Sequence, residues 1–84
     1  MNLNSTIEQI VENIKSLPNN TVDKAAELAA LNVANSILFP LKENKQIQDY
    51  QFSANIIGNL LNISIVVTEN NQTEPSQWDL SIRP

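Results

Sequence analysis

The spacing of apolar residues changes once along this 84-residue chain, and the change divides it into a helical half and a stranded half. Up to Leu41 the apolar positions recur every three or four residues; from Tyr50 onward they alternate with polar ones. A helix brings residues three and four apart onto one face, whereas a strand sends successive side chains to opposite faces. The chain therefore reads as two helices followed by strands, an α+β order.

Ser5-Thr6-Ile7-Glu8 has the form of a capping box, in which a hydroxyl accepts from a first-turn N–H and the Glu reaches back to the cap. Ile7, Ile10, Val11, Ile14 and Leu17 then form one stripe, and Pro18 ends the helix. After the Asn19-Asn20 turn, Thr21 and Asp23 cap a second helix, expected from Val22 to about Leu38 and to stop before Pro40. Its apolar positions, from Val22 through Ala25, Ala26, Leu28 to Ala30, Leu31, Val33, Ala34, Ile37 and Leu38, exceed a single stripe. A helix apolar on most sides needs cover on most sides. Its alanines permit close approach, and a neighbouring subunit is an expected supplier of part of that cover.

Lys42-Glu43-Asn44-Lys45 is a polar turn. Tyr50, Phe52, Ala54 and Ile56 define the inward side of a first strand, and Gly58-Asn59 marks a two-residue hairpin. Leu60 to Thr68 is the second strand, with Leu61, Ile63, Ile65 and Val67 on one side. A polar, turn-forming segment from Glu69 to Ser76 leads to a third strand, Gln77 to Arg83, with Trp78, Leu80 and Ile82 inward. The expected fold is thus a single α+β domain over residues 1–84, two N-terminal helices packed on a three-stranded antiparallel meander (ααβββ). There is no internal repeat. The scattered asparagines read as a coding bias, since apolar periodicity runs through them.

Composition removes several functions. The chain has no His, no Cys and a single Gly, so disulfide scaffolds, Cys/His zinc modules, thiol or His-based catalysis and glycine-rich phosphate cradles lack their essential atoms. Lys and Arg number 5 against 9 acidic residues, for a net charge of −4. They lie singly, which argues against nucleic acid and anionic membranes as partners. The stretch from Ala25 to Phe39 is broken by Glu27, Asn32 and Asn35, and it falls short of the roughly 20 apolar residues that span a bilayer. The first residues have no basic, then apolar, leader, so an intracellular product is expected.

Two patterns could carry chemistry. Glu8 with Glu12 and Asp23 with Glu27 have helical i,i+4 spacing, which could hold a divalent cation or share a proton. The simpler reading is charge placed favourably near helix starts. Asn-x-Ser/Thr triplets occur at Asn4, Asn19, Asn62 and Asn71, and Asn62 falls mid-strand, where a glycan acceptor would be awkward. Without an activating His or a G-x-S-x-G elbow, no catalytic residue, cofactor or metal is assigned.

What remains is surface. Tyr50 and Trp78 are amphipathic groups of the kind found at interface hot spots, though the simpler reading of each is a sheet-face residue covering the second helix, and an edge strand could let Trp78 serve both purposes. The last strand carries no inward charge and no internal Pro, so it is open to pairing with another chain. A chain of this size buries only about 60–65% of its unfolded surface alone, which favours partners.

The order helix, Ile47-Gln48-Asp49-Tyr50-Gln51-Phe52, turn, aliphatic strand Leu61 to Val67, Pro-containing link and terminal strand Trp78 to Ile82 resembles the C-terminal region of contractile phage tail sheath proteins. The resemblance covers residues 46–84 and rests on Ile47, Asp49 and Tyr50, with Phe52 where the family has a small aliphatic. A sheath subunit is several times longer. The resemblance implies a small tail, baseplate or connector component in which neighbouring subunits exchange strands.

The expectation is therefore a non-catalytic structural protein of a virion, assembled in the host cytoplasm. It would associate with itself or with other structural proteins through Ala29, Val33, Tyr50, Trp78, Leu80 and Ile82. The alternative is a cytoplasmic adaptor that binds one protein partner; a small metal-dependent enzyme using the acid pairs ranks last.

Overall fold

The computed structural model describes residues 3–16 and 24–82. Helix α1 runs Leu3–Lys15 and α2 Lys24–Glu43; strands β1 Asp49–Ile57, β2 Leu60–Thr68 and β3 Ser76–Ile82 follow. The sheet has the order β1-β2-β3, with both pairings antiparallel. This is the ααβββ arrangement expected from the period change. Leu17, Pro18, the Asn19-Asn20 turn and the Thr21/Asp23 cap lie outside the described residues.

Helix α1 starts earlier than its apparent capping box. Leu3 is buried and sits one turn before Ile7, so the stripe Leu3, Ile7, Ile10, Ile14 extends the helix through Ser5. Burial of that leucine side chain is worth about 2 kcal/mol, and Ser5 is accordingly a helical residue rather than a cap.

Helix α2 continues through Pro40, against the expectation that it stops before it. Pro40 and Ser36 are both solvent-exposed. The hydrogen bond that Pro40 cannot donate would have ended on the Ser36 carbonyl, which water can reach instead. On the opposite face Ala30, Ala34 and Leu38 are buried and Leu41 is half-buried against the core. That packing carries the helix past the proline.

The helix ends in a left-handed residue, Lys45, with φ 61°. The Lys45 N–H donates to the Lys42 carbonyl at 3.0 Å and the Gln46 N–H to the Leu41 carbonyl at 2.8 Å. These are the two bonds of a Schellman closure, with Lys where glycine is usual. Asn70 clamps it from the β2–β3 connection by donating to the Lys45 carbonyl at 2.7 Å. Ile47, buried immediately after the closure, turns the chain onto the sheet.

The β1–β2 hairpin turns at Gly58, φ 63°. Its register pairs Ile57 with Leu60 and Asp49 with Thr68, and a positive φ at the first central residue alone is the type II′ signature. In the next connection Gln72 N–H donates to the Glu69 carbonyl at 3.3 Å, and left-handed Asn71 takes the third turn position, where Asn is well suited. The side chains alternate as the sequence predicts: Leu61, Ile63, Ile65 and Val67 of the central strand are all buried. The core also takes in Ile10, Leu38, Ile47 and Ile82, and no polar or charged residue is buried among the described residues.

Candidate interaction surface

The two helices do not cover the sheet evenly. α2 packs chiefly on β1 and against α1. The inward side chains of the outer strands, Tyr50, Phe52, Ala54 and Ile56 on β1 and Trp78 and Leu80 on β3, are only half-buried, while those of β2 are buried. Between α1 and β3 lies an open groove of about 520 Å³. Its floor and wall are Ile7, Val11, Trp78 and Leu80; Asn4, Glu8, Glu12 and Lys15 form the rim.

The residues assigned to an interface from sequence separate in space. Trp78 and Leu80 are neighbours in the α1–β3 groove. Ile82, on the same side of the same strand, is 7% exposed and belongs to the core; it has no surface to offer, because it closes the end of the sheet opposite Leu61. Val33 is half-buried against the core, as is Tyr50, and Ala29 is half-buried on α2. Among the described residues the large apolar groups most open to solvent are Leu28 at 55%, Phe39 at 52% and Ile57 at 68% exposure, none of which was assigned to an interface from sequence. Leu28 and Phe39 are eleven positions apart, three helical turns, and so lie on one line of α2. Their signal was available: each falls outside the Ala30, Ala34, Leu38 stripe.

Ile47, Asp49 and Tyr50 all act within the chain at the α2–β1 junction. Ile47 is buried. The Asp49 carboxylate accepts from the Tyr50 N–H at 2.9 Å and meets Lys42 Nζ at 3.2 Å. First the Tyr50 N–H and then Lys42 hold its carboxyl below the usual range. The Tyr50 hydroxyl donates to Asn35 Oδ1 at 3.0 Å, tying β1 to α2.

The other face of the sheet is polar over most of its area. Gln51, Ser53 and Asn55 on β1, Asn62 and Ser64 on β2, and Gln77, Asp79 and Ser81 on β3 occupy it, with Ser53 beside Ser64 and Asn55 beside Asn62, while Val66 and the Ile57–Leu60 pair at the hairpin end put apolar groups on it. The Ser81 hydroxyl donates to Asn62 Oδ1 at 2.7 Å across the β2–β3 pair. Glu8 and Glu12 stand exposed on the groove rim; Asp23, the partner of Glu27, is outside the described residues. No group of three or more Asp, Glu, His or Cys that could hold a metal occurs among the described residues. Nor is any described helix long and apolar enough to cross a membrane. No protein-family model, curated protein or solved structure matches the chain.

Proposed function

We propose that this chain is a non-catalytic assembly protein, which builds larger structures by pairing sheet edges and burying the outer flank of α2, and that it serves as a tail, baseplate or connector component of a virion. The observation that carries the assembly reading is the contrast between a buried central strand and half-buried outer strands. Among the described residues each outer strand has one backbone edge without a neighbour, and neither β1 nor β3 contains a Pro, Lys or Arg to block another strand. Exposed Leu28 and Phe39 add apolar surface on α2. The virion part is supported only by the resemblance of residues 46–84 to the strand-exchange region of tail sheath proteins.

Light scattering coupled to size exclusion tests the reading. A defined oligomer is expected, and Ala29→Glu on half-buried α2 surface should reduce it more than Glu12→Ala on the exposed rim. A monomer at every concentration, or equal assembly of the two variants, contradicts it. A monomer that instead captures one protein partner would favour the adaptor alternative.

A further inference from the structure

Helices that pack side by side lie about 8–10 Å apart, and strands about 4.8 Å apart. Two helices in one layer therefore overlie about four strands, and this sheet has three. The missing width is on a particular side. α2 packs on β1, whereas α1 stands off from β3 across the groove, with Ile7 and Val11 facing Trp78 and Leu80. The 13 residues of α1 span about 20 Å, and the 7 residues of β3 span about 23 Å. The groove takes in α1 from Asn4 to Lys15 and reaches Trp78 and Leu80, so a strand laid along β3 would place inward side chains in it.

The charges around that position have a dominant sign. Glu8 and Glu12 line the groove on the α1 side, against Lys15 alone. On the opposite face of β3 the outward side chains are Gln77, Asp79 and Ser81, so Asp79 is its one charge among the described residues. A strand that turns its apolar side chains into the groove carries its alternate ones on the Asp79 face, where basic groups would be complemented and acidic ones opposed, and the Glu8 and Glu12 carboxylates at the groove rim add to the same negative field.

We infer that the edge of β3 beneath α1 is the acceptor site for a fourth strand supplied by a partner, an extended segment alternating apolar and basic side chains. This deepens the assembly reading and rests on it for the use of open edges. It names which edge is used and what sort of segment fills it. The β3 backbone would supply hydrogen bonds, Trp78 and Leu80 the apolar contact, and Asp79 the selection by charge, within the negative field of Glu8 and Glu12 at the rim.

Trp78 is the sole tryptophan of the chain and reports directly on the groove. The test titrates the full chain with a synthetic peptide of alternating Lys and Val, and with its counterpart of alternating Glu and Val. Expected is a blue shift of Trp78 emission with the Lys peptide, at an affinity about tenfold or more above that of the Glu peptide and falling with salt. Asp79→Asn should weaken it several-fold, and alternate backbone N-methylation of the peptide should abolish it. Equal affinity for both peptides, or no emission change with either, overturns the assignment. So does a shift produced by raising the chain's own concentration without peptide, which would make a second copy the occupant. Light scattering on the same samples separates the two claims. Failure of the peptide with an intact oligomer removes only the groove assignment. Peptide binding by a persistent monomer removes self-assembly and leaves the groove assignment standing.

Discussion

Lys45 holds a left-handed backbone, φ 61°, which costs a residue with a β-carbon about 1 kcal/mol or more. Glycine would remove that cost while adding freedom to the unfolded chain, so Lys45→Gly should raise stability by about 0.5 kcal/mol or more in urea denaturation. A loss would mean that side-chain contacts, not the backbone, govern the position. Asp49 gives a second prediction. Its carboxyl sits below the ordinary 3.8, first because of the Tyr50 N–H and then because of Lys42. NMR titration should find it there, and Lys42→Ala should return it only part of the way, since the N–H remains. A depressed carboxylate stabilises the fold above its unfolded pKa and loses that contribution as pH falls through its folded pKa. With the side chain 57% exposed, the contribution is small and screened by salt. Neither residue was legible beforehand. Lys45 lacks the glycine that would mark a left-handed closure, and Asp49 acquires its partners only when α2 and β1 meet.

Elements were legible where side-chain period decided them. β2 falls on Leu60–Thr68 as its alternation requires, and the inward set of each strand is the one that its pattern predicts. Helix ends were less legible, because burial overrode local signals: Leu3 drew α1 past Ser5, and Leu38 with Leu41 drew α2 past Pro40. If Pro40 is tolerated rather than required, Pro40→Ala restores a bond to the Ser36 carbonyl. Chemical denaturation should then show a gain of about 1–3 kcal/mol. A neutral or destabilising result would mean that the proline shapes α2 over β1. The hairpin makes the opposite prediction. At Gly58, φ 63°, an added Cβ meets nothing within 4 Å, so Gly58→Ala pays only for its backbone. About 1 kcal/mol of stability should be lost without a change in strand register. A register change, read from cross-strand NMR contacts, would show that the turn rather than the buried face of β2 sets the pairing.

At the scale of the molecule, the groove between α1 and β3 had no sequence signal, because it is an absence between elements rather than a property of either. Trp78 and Leu80 could be placed on the inward side of a strand, but their partial exposure depends on where α1 comes to rest. Under the proposed assembly, stability is tied to association: assembly would bind the folded chain only and so draw the unfolding equilibrium toward the native state by mass action. For a dimer, a tenfold rise in concentration adds about 0.7 kcal/mol per chain, which in a domain of this length moves the melting temperature by about 3–5 °C. Calorimetry over a hundredfold range of concentration should show a steady upward shift. Phe39→Lys with Leu28→Lys should flatten it if α2 is the contact, because both side chains are exposed and their replacement leaves the buried set intact. If the double variant keeps the full concentration dependence, association runs through the strand edges without α2; if the unaltered chain melts at one temperature throughout, the open strands are tolerated in solution and do not drive assembly.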